Sequence, residues 1–88
     1  MSDPSTGPSP AQCRAARGLL AWSQADLAEA ARVGLSTVRD LETERRQVSP
    51  ELVQAIRAAI EAAGVVLLSD DEGEGVRVTS RKTRRNRR

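Results

Sequence analysis

The chain has 88 residues, 39% hydrophobic, with no histidine, one cysteine, one tryptophan and a formal net charge of +2. That length holds one small domain plus tails, and the composition excludes His/Cys metal sites and a disulfide frame while favouring a cytoplasmic setting. No run approaches a membrane span, the N-terminus lacks a signal-peptide pattern, and without a His base, a G-x-S-x-G or a P-loop neither an enzyme nor a cofactor site is expected.

Charge is unevenly spread. Residues 1 to 75 hold seven Arg against twelve Asp and Glu, a net of −5, whereas residues 76 to 88 hold six Arg and one Lys without an acid, a net of +7. Residues 11 to 64 hold seven of each sign. A polyanion partner would therefore meet a neutral folded part and a basic tail.

Residues 1–9 are rich in Pro, Ser and Gly and read as a disordered segment. Ser9-Pro10 then forms a cap and first-position pair for a helix running to about Ala21, with Cys13, Ala16 and Leu20 on one face. Ser23 caps a second helix, supported by Asp26 three residues on, with Leu27, Ala28 and Ala31 inward. Arg32-Val33-Gly34 breaks the period, and a third helix opens at about Leu35 with Val38 and Leu41 inward and Leu35 at the edge. Ser49-Pro50-Glu51 starts a fourth helix whose core face is Leu52, Ile56, Ala59, Ile60 and Ala63, and Gly64 stops it.

Four helices with a three-residue break between the second and third describe a helix-turn-helix domain over residues 10–64. After it, two β-branched runs around DDEGEG predict a β-hairpin over residues 65–80, and residues 81–88 read as a disordered Arg-rich tail. The fold class is thus mainly α, a compact four-helix domain followed by a short hairpin. A lone hairpin is marginal in water. Either it packs on its own helices or it pairs with a second copy through Val66, Leu68, Val76 and Val78.

The stretch WSQADLAEAARVGLSTVRDLETERRQVSP carries a further signal. Gln24, Leu27-Ala28, the turn at Arg32-Val33-Gly34, Val38, Leu41 and Glu42 make residues 11 to about 60 resemble the lambda-repressor-like (Xre) family of helix-turn-helix DNA-binding domains. The resemblance implies that Gln24 touches a DNA phosphate. It puts Leu35, Ser36, Thr37, Arg39 and Asp40 toward the major groove, and Thr43, Arg45 and Arg46 along the DNA backbone. Arg17 and Glu42 match a family salt bridge between the first and third helices. The family usually has Gly where this chain has Arg32, and a left-handed residue there costs a non-Gly side chain about 1 kcal/mol. Either Val33-Gly34 shifts the turn by one residue or the strain is accepted.

Amides common on the family's reading face are replaced here by Leu35 and Asp40. Leucine can meet a thymine methyl, Asp can accept from cytosine N4, and Arg39 can pair with guanine O6 and N7. Asp40 can equally be a solvated acid beside Arg39. The implied function is a sequence-specific regulator of transcription, a small prokaryotic or mobile-element repressor that binds double-stranded DNA as a homodimer, at the nucleoid. Arg81, Lys82, Arg84, Arg85, Arg87 and Arg88 would add non-specific phosphate binding. The alternative is an antiactivator of the same fold that masks a protein such as a transcription activator, using an exposed Leu35 rimmed by Asp40 and Glu44. RNA binding by the tail has no aromatic to stack on bases, and no small-molecule pocket is evident.

Overall fold

Three of the four helices start at a serine whose hydroxyl accepts a hydrogen bond from a backbone N–H of the first turn. The computed structural model describes residues 7–79. In α1 (Pro10–Leu20), Ser9 accepts from the Gln12 N–H and the Gln12 side chain accepts from the Ser9 N–H, a complete capping box. Ser23 and Asp26 form the same reciprocal pair at the start of α2 (Gln24–Ala31). Ser49 caps α4 (Pro50–Ala62), with Pro50 at the first helical position. The exception is α3 (Leu35–Thr43), whose N-cap is Gly34 without any side-chain bond.

Helices α1 and α2 end alike. Ala21 and Arg32 adopt left-handed conformations with φ of 59° and 61°. The next residue's N–H then reaches back into the helix, Trp22 to the Arg17 carbonyl at 2.9 Å and Val33 to the Ala28 carbonyl at 3.0 Å. Trp22 and Val33 both pack on the core, the apolar contact that completes this type of terminus. Arg32 therefore accepts the left-handed strain. The turn is not shifted onto Gly34, whose φ of −72° is ordinary extended backbone. Glu44, after α3, is left-handed as well, with φ 59°.

The core is built from small and branched aliphatic residues. Cys13 and Ala16 of α1, Leu27, Ala28 and Ala31 of α2, Val38 of α3, Ile56 and Ile60 of α4, and Val65 form one buried cluster. Helix α2 packs against both α3 and α4, and its buried Ala28 contributes only a methyl to that crowded core. Leu52, expected in the core, is 37% exposed. The inner stripe of α4 runs through Ile56 and Ile60, with Ala59 packed against the core, while Val53 lies against Gly7. Pro8 is buried, so residues 7–9, read as the end of the N-terminal segment, are seated on the domain.

Strands β1 (Val65–Asp70) and β2 (Gly73–Val78) pair antiparallel, with Val65 opposite Val78, Leu67 opposite Val76 and Leu68 opposite Gly75. The turn is only Asp71-Glu72, and Asp70 Oδ1 accepts from the Glu72 and Gly73 N–H groups. This register corrects the expected apolar face. Paired residues share a face, so Val65, Leu67, Val76 and Val78 point inward onto the core, while Val66, Leu68 and Arg77 point outward. Val66 and Leu68 cannot act on one surface with Val76 and Val78, because a two-residue turn puts them on opposite sides of the sheet. The hairpin packs on its own helices, α1 and α4.

Candidate nucleic-acid interface

Glu42, in the last turn of α3, organises the site. It is 3% exposed, and four donors converge on its carboxylate. Arg17 Nε donates to Oε2 at 2.7 Å and Arg17 Nη2 to Oε1 at 2.9 Å. Gln24 Nε2 donates to Oε1 at 3.0 Å and the Cys13 thiol to Oε2 at 3.2 Å. Two helices are thereby tied to the third through one side chain. Arg14 adds a backbone contact, with Nη1 2.7 Å from the Glu42 carbonyl oxygen, where the helix end lacks an internal partner.

The ionisation of this cluster follows from its geometry. Burial by itself would raise the Glu42 pKa, but hydrogen bonds from Arg17, Gln24 and Cys13 together with the Arg17 charge outweigh it and hold the carboxyl below its ordinary value. Hydrogen bonding to Glu42 raises Arg17 further above its usual range. Burial pushes the Cys13 thiol well up, with the neighbouring Glu42 reinforcing the shift. The cluster is a fixed ion pair beside an inert thiol.

Around this anchor, α3 presents Ser36, Arg39 and Thr43 at spacings of three and four, all exposed. Thr37 and Asp40 flank them half-buried. Asp40 lines a shallow hollow with Glu44, Arg45 and Arg46 between the end of α3 and the start of α4. Leu35 is half-buried and packs on the core rather than standing free. The Thr43 hydroxyl donates to the Arg39 carbonyl at 2.7 Å. Arg45 and Arg46 are exposed in the loop after α3. Among the described residues, Arg39, Arg45 and Arg46 enter no ion pair.

Besides the half-buried Leu35, Thr37 and Asp40, the residues read from the sequence fall into two sets. Gln24, Arg17 and Glu42 meet in one cluster, and Ser36, Arg39, Thr43, Arg45 and Arg46 are exposed nearby on or just after α3. The tail from Arg81 to Arg88 lies outside the described residues. Sequence reasoning missed Cys13 and Arg14 as members of the cluster. Both lie on α1 in the same helical turn as Arg17, which was the available signal. Gln12 was also missed. It is buried, and its Nε2 donates to the Leu68 and Gly75 carbonyls at 2.8 and 3.0 Å, stapling the hairpin to α1.

The site is thus a helix tied near its far end by an ion pair, preceded by a short turn, with Arg39 exposed on it and Arg45 and Arg46 exposed just after it. The helix-turn-helix family profile matches residues 14–61, more than half of the chain. The chain belongs to the helix-turn-helix family. Its members of the Xre, lambda-repressor-like type are DNA-binding regulators of transcription, and the matched segment runs from Arg14 to within the last turn of α4, which takes in the whole Glu42 cluster except Cys13. No curated protein matches the chain. Among the described residues, no helix of this helix-turn-helix protein is long and apolar enough to cross a membrane.

Proposed function

We propose that this helix-turn-helix protein is a sequence-specific repressor that binds an operator as a homodimer, with α3 in the major groove. The observation that carries the proposal is the exposed line of Ser36, Arg39 and Thr43 on a helix whose far end is locked by Glu42. Arg39 reads a guanine through O6 and N7, and Arg45 and Arg46 grip flanking phosphates. Gln24 holds Glu42 with one amide hydrogen, and its second amide hydrogen serves a phosphate. Residues 7–79 contain eight Arg against eleven acids. Affinity therefore rests on the local arginine face, with Arg81, Lys82, Arg84, Arg85, Arg87 and Arg88 as a salt-sensitive supplement.

The masking of a partner protein is less well supported. It calls for an exposed Leu35, and that side chain is half-buried against the core.

Fluorescence anisotropy on a duplex from the upstream region of the protein's own gene, against a scrambled duplex at two salt concentrations, tests the proposal. Preference for the native duplex by about 10³-fold or more supports a specific regulator. Arg39→Ala then lowers that preference by about 10- to 100-fold at one base pair, whereas Arg45→Ala weakens both duplexes alike and reduces the salt slope by about one. Equal, salt-sensitive binding to both duplexes refutes specific reading.

A further inference from the structure

Apart from the turn bonds that Asp70 accepts, the outward face of the hairpin takes no part in the core or in the α3 site among the described residues. It consists of three cross-strand rows: Val66 with Arg77 at the base, Leu68 with Gly75 in the middle, and Asp70 with Gly73 at the tip. Leu68 is among the exposed large apolar side chains, at 39%. Gly75 has no side chain, and a Cβ built there would meet nothing within 4 Å, so the described residues leave that space empty. Glycine inside a strand commonly marks the close approach of another surface. The tip is acidic, with Asp70, Asp71 and Glu72, and the base carries Arg77, which enters no ion pair among the described residues.

We propose that this face is the contact between two copies of the chain, stacked with the tip of each hairpin over the base of the other. The proposal rests on the homodimer reading above and names its surface. Two stacked hairpins related by a two-fold axis can align tip with tip or tip with base. Tip over tip brings six carboxylates together, three from each copy, in a repulsive cluster. Tip over base superimposes the row of Arg77 on the row of Asp70, because both lie one row from the middle. Arg77 then lies above Gly73 of the second copy, which offers no side chain, and its long stem reaches the carboxylates of Asp70 and the adjoining turn. Leu68 meets its own symmetry mate at the axis, and the bare Gly75 positions give both leucines room. The face is self-complementary, as an isologous contact requires. It is also smaller than the roughly 800 Å² per partner of a standard interface, so association is weak in free protein and strengthened on an operator that holds both copies.

Sedimentation equilibrium of the full chain from about 1 μM to 1 mM tests this surface. The wild type is expected to pass from monomer to dimer over that range. Leu68→Asp and Arg77→Glu each weaken association by about tenfold or more, with thermal melting of the fold monitored by circular dichroism and unchanged. Arg77→Glu combined with Asp71→Lys and Glu72→Lys restores the dimer, since two of the three tip charges are reversed while Asp70 is kept for the turn bonds it accepts. Leu19→Asp, at an exposed position on α1, leaves it intact. A wild type that stays monomeric to the highest concentration overturns the proposal. So does Leu68→Asp that still dimerises, or a charge exchange that fails to restore what Arg77→Glu removes. Specific operator binding by a monomeric wild type would overturn this surface and spare the DNA reading. A dimer of this geometry with no duplex preference would do the reverse.

Discussion

Replacing Glu42 by Gln removes one charge at the point where three helices meet. The amide retains the shape, but it offers one acceptor oxygen where the carboxylate offers two, and its NH₂ must face a donor. Arg17 holds the two oxygens at 2.7 and 2.9 Å, and Gln24 and Cys13 take the remaining lone pairs. At least two charge-assisted bonds are lost, each contributing about 1.5 kcal/mol at the low end for such bonds. Arg17 keeps 20% side-chain exposure and recovers some hydration. A net loss of about 3 kcal/mol is expected, near the lower figure for breaking a buried pair from one side. For a domain of this size that lowers Tm by about 12–24 °C. Circular dichroism melts at pH 7 measure it. The pH dependence supplies a second check with a definite sign. The folded carboxyl is held below its unfolded value of about 4.3. Its contribution is present above that value and lost as pH falls through the lower folded pKa. The gap between wild type and Glu42→Gln should therefore be full at pH 6 and shrink as the pH is taken below about 4. A loss under about 1 kcal/mol at pH 7 would refute the role given to the cluster, as would a gap that widens in acid.

Arg32→Gly relieves the left-handed strain at the turn before α3 and should raise stability by up to about 1 kcal/mol, read as a higher Tm; a lower Tm would show that the arginine side chain compensates for its backbone. Gln12→Ala leaves the Leu68 and Gly75 carbonyls without their shared donor and breaks the α1 capping box. A loss of about 1–3 kcal/mol is expected, with amide exchange in β1 and β2 accelerated more than in α2, and uniform acceleration would argue against a staple. The Cys13 thiol, buried and pushed well up in pKa, should resist alkylation at pH 8 until denaturant opens the domain, whereas prompt modification of the native protein would contradict its burial.

Local chemistry alone determined most of the helical layout. Ser9, Ser23 and Ser49 are caps because a hydroxyl one residue before a helix satisfies an orphan N–H wherever the chain goes next. The apolar period on α2 and α3 likewise put Leu27, Ala31 and Val38 inside. The exposed arginines on and after α3, and the partnership of Arg17 with Glu42, were legible because the helix-turn-helix pattern ties spacing to position. Tertiary structure decided the rest. On β2 the alternation of Val76 and Val78 with Arg77 marked an apolar face, but the unbroken Val65-Val66-Leu67-Leu68 run of β1 left undetermined, by one residue of register, which of its side chains share that face. Leu52 stands exposed while its neighbour Val53 lies against Gly7, an approach between distant parts of the chain that the helical period could not announce. Leu35 was open to two readings, the edge of the inner stripe and the groove face, and its contact with the core leaves it half inside. Gln12 reaches carbonyls more than fifty residues away, and Cys13 and Arg14 join Glu42 from a different helix. Such contacts depend on how the elements stack, and stacking is set by the whole core, not by any single stretch of the chain.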